Sequence, residues 1–257
     1  MKTALVTLSA EGAQILKKLA LEFPVADVFV HKSIRPDMEA SPFESIIELT
    51  GTIFDQYRAI VYVAPTGVVV RAIAPHVKSK YTDPAIVVVD AIGRFAISLL
   101  SGHEGGANEL TIRVANVIGA EPVVTTTTEA LKSLIVGVGC RRGAKAEVII
   151  EAIKEALSKI KADTKEVRLL ASADIKANEE GLREAADCMG IPLRLIPSNE
   201  IKEAKKIFAH SELAQKRVGL PAVAEPAALL AGKHTRLILE RITWKSITVA
   251  IARENFT

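Results

Sequence analysis

Two cysteines, Cys140 and Cys188, are all that 257 residues contain. They are too few for a disulfide framework and lack the CxxC or Cys/His spacing of a zinc site. This usage points to a reducing, cytoplasmic compartment. Aromatic residues are scarce, at 4%, so the chain offers no stacking platform for nucleobases. An excess of one charge is missing as well: 33 basic residues stand against 30 acidic ones, a net +3, which leaves no electrostatic footprint for nucleic acid. The longest apolar stretch, Ala85 to Leu100, is interrupted by Asp90, Gly93 and Arg94, so no membrane association is expected. The opening MKTALVTLSAEG lacks the charged, apolar and cleavage-site progression of a signal peptide and reads as a buried strand.

What is present is an apolar, globular composition, 49% hydrophobic and 25% charged, in a length suited to one large domain or two ordinary ones. Short β-branched runs alternate with helical patterns: ALVTL, then GAQILKKLALE, then VADVFV, and later AIVYVA before a helix over Val68 to Ile73. This rhythm predicts a covered, mainly parallel sheet. A short helix is expected near Glu44 to Thr50. AIVVVD and RFAISLL, separated by Ala91 to Gly93, read as a hairpin, and a helix is expected over 104–118. After PVVTTTTEALKS the pattern restarts with LIVGVG and an amphipathic helix whose apolar stripe is Ile149, Ile153, Ala156, Leu157 and Ile160. Strands follow at VRLLAS, LRLI, RLILE and SITVAIA, with helices at Asn178 to Met189 and near Pro226 to Ala231. The expected fold class is α/β, two α/β domains with mainly parallel sheets, spanning 1–130 and 131–257, with a ligand cleft between them. The basic stretch KEAKKIFAHSELAQKR reads as a solvated helix or surface segment. His31, His76, His210 and His234 read as surface residues.

Chemistry concentrates in ISLLSGHEGGANEL, Ile97 to Leu110. Gly102, Gly105 and Gly106 leave backbone amides uncovered ahead of a helix start, a combination that favours an anionic group. Ser101, His103, Asn108 and Glu109 crowd the same turn with a hydroxyl, an imidazole, an amide and a carboxylate. The plain alternative is a glycine-built helix entry with Ser101 as cap and His103 exposed.

A second glycine turn, GVGCRRGAK, spaces Gly137, Gly139 and Gly143 one residue too far apart for the dinucleotide fingerprint. Arg141 and Arg142 lie inside it, where guanidinium forks can grip carboxylates or phosphates. The alternative is a structural turn with two surface arginines. Cys140 has no histidine nearby in sequence to act as its base, and reads as structural or substrate-lining. Lys176 and Glu179, three residues apart at a helix entry, can share a face. Glu225 precedes Pro226 at another helix start.

The run APTGVVVRAIAPHVKSKYTDPAIVVVDAIGRFAISLLSGHEGGANELTIRVANVIGAEPVVTTTTEA resembles the N-terminal region of the cobalamin biosynthesis protein G family. GVGCRRGAKAE, LLASADIKANEEGL, AVAEPAALL and ITVAIAR resemble its C-terminal domain, which also occurs as the free-standing CobE. The resemblance implies a cobalt-precorrin-5A hydrolase that opens the ring A δ-lactone and releases C20 with its methyl group as acetaldehyde. The implied partner is a cobalt-corrinoid small molecule, with neighbouring pathway enzymes as further candidates. No separate cofactor and no protein metal site are expected, since cobalt arrives inside the substrate.

On that reading His103 is the general base or proton shuttle, with Ser101 and Glu109 beside it as catalytic groups, and amides near Gly105 and Gly106 receive the oxyanion. Arg71, Arg141, Arg142 and Lys176 would hold substrate carboxylates. Asp90, Asn108, Gly102, Gly139, Cys140, Glu179 and Glu225 complete the expected substrate-binding set. The chain departs from the family in two places. PVVTTTTEALKS runs almost directly into LIVGVG, where longer members carry a middle region, and Ala91 stands where an acidic residue is usual. A carrier that binds corrinoid intermediates without catalysis would use the same arginines. A nucleotide-binding α/β enzyme is a third reading, opposed by the glycine spacing.

Overall fold

A computed structural model describes residues 2–204 and 223–255, in two compact units, Met1–Thr126 and Thr127–Thr257. In the first, β1 (Thr3–Thr7), β4 (Ala59–Val63) and β5 (Ala85–Val89) are buried at every residue. That burial explains their unbroken apolar runs, because a parallel strand covered on both faces has no solvent side to mark with polar residues. The sheet runs β3 (Ser41–Phe43), β2 (Asp27–His31), β1, β4, β5, β6 (Phe95–Leu100), β7 (Glu121–Val123). Strands β1 to β5 are mutually parallel, β6 is antiparallel to β5, and β7 is parallel to β6.

Alternation along the strands supplies two cores. Leu5, Val61 and Val87 pack against α1 (Ala10–Glu22) and α4 (Ala107–Ile118). Val6, Ile60, Tyr62 and Val88 face the opposite side, where α2 (Ile46–Ile53) and α3 (Thr66–Ile73) lie. Leu16 and Leu19 of α1 are fully buried, and truncating either to alanine would cost about 2–5 kcal/mol. Ser9 caps α1 by accepting the Gly12 N–H at 3.0 Å. Helix α4 begins at Ala107, not at 104, because Gly106 at φ +83° is left-handed and closes the turn first. His31 and His76 are half-buried at the surface. The His31 ring nitrogens meet Ser33 Oγ and the Glu44 carbonyl at 2.8 and 3.1 Å, and the His76 ring lies 5.7 Å from Phe54. His234 is exposed.

The second unit opens with α5 (Thr127–Ala130) and β8 (Leu134–Gly139). Then come α6 (Ala146–Lys159), β9 (Val167–Ala173), α7 (Glu180–Met189), β10 (Leu193–Ile196) and α8 (Ser198–Glu203). Last are α9 (Ala224–Leu230), β11 (Thr235–Trp244) and β12 (Ile247–Glu254). The sheet order is β10-β9-β8-β12-β11. Strands β8, β9 and β10 are parallel, whereas β12 is antiparallel to both β8 and β11. Ile149, Ile153, Ala156 and Leu157 of α6 bury their stripe against β8 and β12. Helix α9 covers the other face so closely that a Cβ on Gly137 would fall 1.8 Å from the Ala224 carbonyl oxygen. Most of the basic stretch read as a solvated helix, together with His210, lies outside the described residues. No described helix is long and apolar enough to cross a membrane.

Candidate active site

The turn after β6 is held by two buried polar side chains. Ser101, 6% exposed, sits at φ +57° in the left-handed region and donates its hydroxyl to the Asp83 carbonyl oxygen at 3.1 Å. Asn108, 8% exposed, accepts from Ser98 Oγ at 2.8 Å and donates to Thr126 Oγ1 at 2.9 Å. These bonds use the groups that sequence reading assigned to catalysis and substrate. Ser101 is a buried pin and its proton is committed to a main-chain carbonyl. The Asn108 amide is spent at both ends on the protein. Gly102 and Gly105 are glycines for lack of room. A Cβ on Gly102 would lie 2.7 Å from Thr126 Cγ2, and one on Gly105 would lie 2.8 Å from the Ser101 carbonyl oxygen.

The amides divide in the same way. Gly105 N–H and Ala107 N–H both donate to the Ser101 carbonyl, at 3.1 and 3.2 Å, and Asn108 N–H donates to the Gly102 carbonyl at 2.9 Å. The Gly105 amide is therefore not free to meet an oxyanion. Gly106 N–H has no acceptor among the described residues and stands at the start of α4, so it is one donor the turn can offer an anionic group.

His103, Glu104 and Glu109 are exposed around this pinned backbone. Antiparallel pairing of β5 with β6, in the register Ile86 to Leu100, sets the chain before β5 beside the chain after β6. The loop over 77–83 consequently joins the site. The Asp83 carboxylate accepts the N–H groups of Lys78 and Ser79 at 2.9 and 3.0 Å, and Lys80 Nζ meets Glu104 Oε1 at 2.5 Å. The hydrogen bond to Glu104 holds the Lys80 ammonium above the usual lysine range, and the same bond holds the Glu104 carboxyl below the usual carboxylate range. Lys80, Tyr81 and Asp83 were not singled out from sequence, because no local pattern marks them and only strand pairing brings them here.

Arg71 and Asp90 do not join this group. Arg71 folds back along α3 and donates Nη1 to the Gly67 carbonyl at 2.9 Å, toward the carboxyl ends of β4 and β5. Asp90 follows β5 at that same edge and organises the hairpin, accepting from the N–H groups of Arg94 and Phe95 at 2.6 and 2.8 Å and from Arg94 Nε at 3.0 Å. Partial burial raises the Asp90 carboxyl, but the bonds from Phe95 and Arg94 outweigh it and leave the pKa below the ordinary range. The six residues of β6 separate Asp90 from Ser101, roughly 20 Å at the rise of a strand. Ala91, beside Asp90, is equally remote from His103.

In the second unit the expected residues gather where parallel strands end, the usual position for ligands in open α/β sheets. Cys140, Arg141 and Arg142 follow β8, while Asp174 to Glu179 follow β9. The Glu179 carboxylate accepts the Gly143 N–H at 3.0 Å and pairs with Lys176 Nζ at 3.4 Å. The Lys176 and Glu179 side chains are only 13% and 12% exposed, so each neutralises a charge the other would leave unpaired in a poorly hydrated place. Burial pushes the Cys140 thiol up, Lys176 draws it down and Glu179 pushes it up again, with a raised pKa as the result. Arg141 and Arg142 are exposed, without an ion-pair partner among the described residues. An open groove of about 660 Å3 between the starts of α6 and α7 is bounded by Arg142, Lys145, Glu147, Asn178, Glu180 and Glu184.

Two residues of the expected set serve the fold. Gly139 ends β8, and a Cβ there would fall 2.3 Å from Thr248 Oγ1, which donates to the Gly139 carbonyl at 2.9 Å. Glu225 is 2% exposed at the start of α9, and its carboxylate accepts the Arg241 N–H at 2.9 Å beside the register shift between Leu239 and Ile242. It satisfies an amide that the irregular strand pairing releases.

Residues 48–129 match the family described as Cobalamin synthesis G N-terminal, and residues 134–252 match Cobalamin synthesis G C-terminus. The chain is 25% identical to the cobalt-precorrin-5A hydrolase of Salmonella typhimurium, covering 96% of each. That alignment runs over 341 positions against 257 residues here, so the relative carries residues without a counterpart in this chain. Protein CobE of Sinorhizobium sp is 33% identical over 128 residues, 49% of this chain and 83% of CobE. A crystal structure of CobE, a protein from the cobalamin biosynthetic pathway, is 28% identical over 48% of this chain and 91% of its own, with a TM-score of 0.45. With both of its conserved regions in one polypeptide, the chain belongs to the cobalamin synthesis G family.

Proposed function

We propose that this protein is a cobalt-precorrin-5A hydrolase. The observation that carries the reading is the match to a hydrolase of that name over 96% of both chains. The substrate is a macrocycle rimmed with acetate and propionate carboxylates, with cobalt held inside it and no further cofactor required. His103 removes a proton from the water that attacks the lactone carbonyl, and Gly106 N–H receives the oxyanion. Opening the lactone leaves a carboxylate on ring A and a hydroxyl on C20. Loss of that hydroxyl proton forms the C20 carbonyl as the bond between C20 and the ring carbon breaks, expelling C20 with its methyl group as acetaldehyde, while the bond's electron pair stays on the macrocycle and is taken up by a proton. Exposed Arg141 and Arg142 suit the macrocycle's other carboxylates.

A non-catalytic corrinoid carrier is the second reading, favoured by the shorter chain relative to the 341-position alignment. Anaerobic incubation with cobalt-precorrin-5A separates the two, with acetaldehyde trapped and the corrinoid followed by mass. The hydrolase releases acetaldehyde, and His103→Ala abolishes release while retaining corrinoid affinity. Tight binding without acetaldehyde from the unaltered protein would establish the carrier.

A further inference from the structure

A carboxylate-bearing ligand at the end of the sheet that carries His103 calls for a cation, and Arg71 instead bonds back to the Gly67 carbonyl at the start of α3, which follows the carboxyl end of β4. The loop over 77–83 supplies one. Its course is set from within by bonds from Lys78 and Ser79 N–H to the Asp83 carboxylate, from Asp83 N–H to the Ser79 carbonyl at 2.8 Å, and from Tyr81 N–H to Ser79 Oγ at 3.3 Å. Asp83 is 6% exposed, whereas Tyr81 is 72% exposed. Neither the Lys80 nor the Tyr81 side chain contributes to that scaffold. A stiff loop therefore presents an ammonium and an aromatic face outward, with Lys80 Nζ 5.0 Å from the Tyr81 ring centroid and 2.5 Å from Glu104, the residue after His103.

We propose that the 77–83 loop and the 101–106 turn form a carboxylate-binding subsite for a flat, acid-rimmed ring. Lys80 leaves Glu104 for a ligand carboxylate there, and Tyr81 supports the ring edge. Glu104 acts as a resident anion that keeps the ammonium in place while the subsite is empty. The exchange replaces one ion pair by another, so it costs little beyond partial desolvation of the incoming carboxylate. The inference rests on the corrinoid reading above, but its tests fall on Lys80, Tyr81 and Glu104, which take no part in the proposed chemistry.

The test is equilibrium titration of the full chain with cobyrinic acid, a cobalt corrin with free acetate and propionate side chains, and with its fully methylated ester. Lys80→Ala should weaken the acid about fivefold, the size of a partly solvated ion pair, and leave the ester unchanged. Glu104→Gln should tighten the acid alone, by removing the competing carboxylate. Tyr81→Ala should weaken acid and ester alike, because it removes ring contact and not charge. Lys17→Ala, which breaks an exposed 2.6 Å pair with Asp37 elsewhere on the unit, should change nothing. If the acid binds Lys80→Ala as tightly as the unaltered protein, the subsite is overturned while the corrinoid reading stands. If neither corrin binds the unaltered protein, the corrinoid reading fails and the subsite with it.

Discussion

The Ser101 hydroxyl and the Asp83 carbonyl, 3.1 Å apart in a buried hydrogen bond, tie the turn bearing His103 to the loop bearing Lys80. Each of these residues holds a second part of the site in place: Asp83 through its carboxylate on Lys78 and Ser79, Ser101 through its carbonyl on the amides of Gly105 and Ala107.

Ser101→Ala should lower stability without abolishing turnover. It leaves a buried carbonyl without its donor, at a cost of about 1–3 kcal/mol, and retains a non-glycine residue at φ +57°. Ser101→Gly loses the same bond but relieves the backbone, so its melting temperature should lie nearer that of the unaltered protein. Thermal unfolding alongside acetaldehyde release checks both points. Complete loss of turnover in a folded Ser101→Ala variant would make Ser101 a catalytic group.

Asp90 should make the first unit acid-sensitive. Its folded pKa lies below the ordinary value, so the folded state holds fewer protons than the unfolded state. The stability it contributes is present above the unfolded aspartate value of about 3.9, and is lost as pH falls through the lower folded value. Urea unfolding should therefore show Asp90→Asn destabilised at neutral pH, with the difference from the unaltered protein shrinking below about pH 4. A difference that stays constant across that window would contradict the hairpin role.

Cys140 should react slowly with iodoacetamide near neutral pH, because burial and Glu179 raise its pKa against the pull of Lys176. Removing the Glu179 charge, as in Glu179→Gln, leaves Lys176 acting alone and should shift the pH profile of alkylation downward. Lys176→Ala should shift it upward. Alkylation followed by mass in a Cys188→Ser background isolates the half-buried Cys140 thiol, and unchanged profiles would mean that neither residue sets the thiol's protonation.

Ala91→Glu introduces the acidic residue that the family resemblance implies at this position, yet should leave acetaldehyde release unchanged. Position 91 adjoins Asp90 at the carboxyl end of β5, separated from the His103 turn by the six-residue length of β6. A large increase in turnover would place the chemistry at that edge and remove His103 from it.

Much of the secondary structure was legible because its signals are local. The fully buried β1, β4, β5 and β8 announce themselves as short runs rich in valine, isoleucine and leucine without charged residues, and Gly93 at φ +76° marks the β5–β6 hairpin. The β11–β12 hairpin was read only as two strands. Its turn uses Lys245 and Ser246 at φ +43° and +74°, conformations that asparagine or glycine normally signals. The start of α4 was placed three residues early because the sequence shows a glycine but not its left-handed backbone.

The sequence by itself determined the α/β class and the two glycine turns, because burial on both strand faces and helix entry leave marks within a few residues. Only the tertiary structure decided what the polar groups in those turns do. Antiparallel pairing of β6 with β5 sends Asp90 and Ser101 to opposite ends of one sheet although they are close in sequence. The same pairing brings Lys80 to Glu104 across 24 residues. Hydrogen bonds to a carbonyl and to hydroxyls hold Ser101, read as catalytic, and Asn108, read as substrate-binding, as buried pins of the turn. A residue type limits which bonds a group can make, but the fold chooses the partner that uses them.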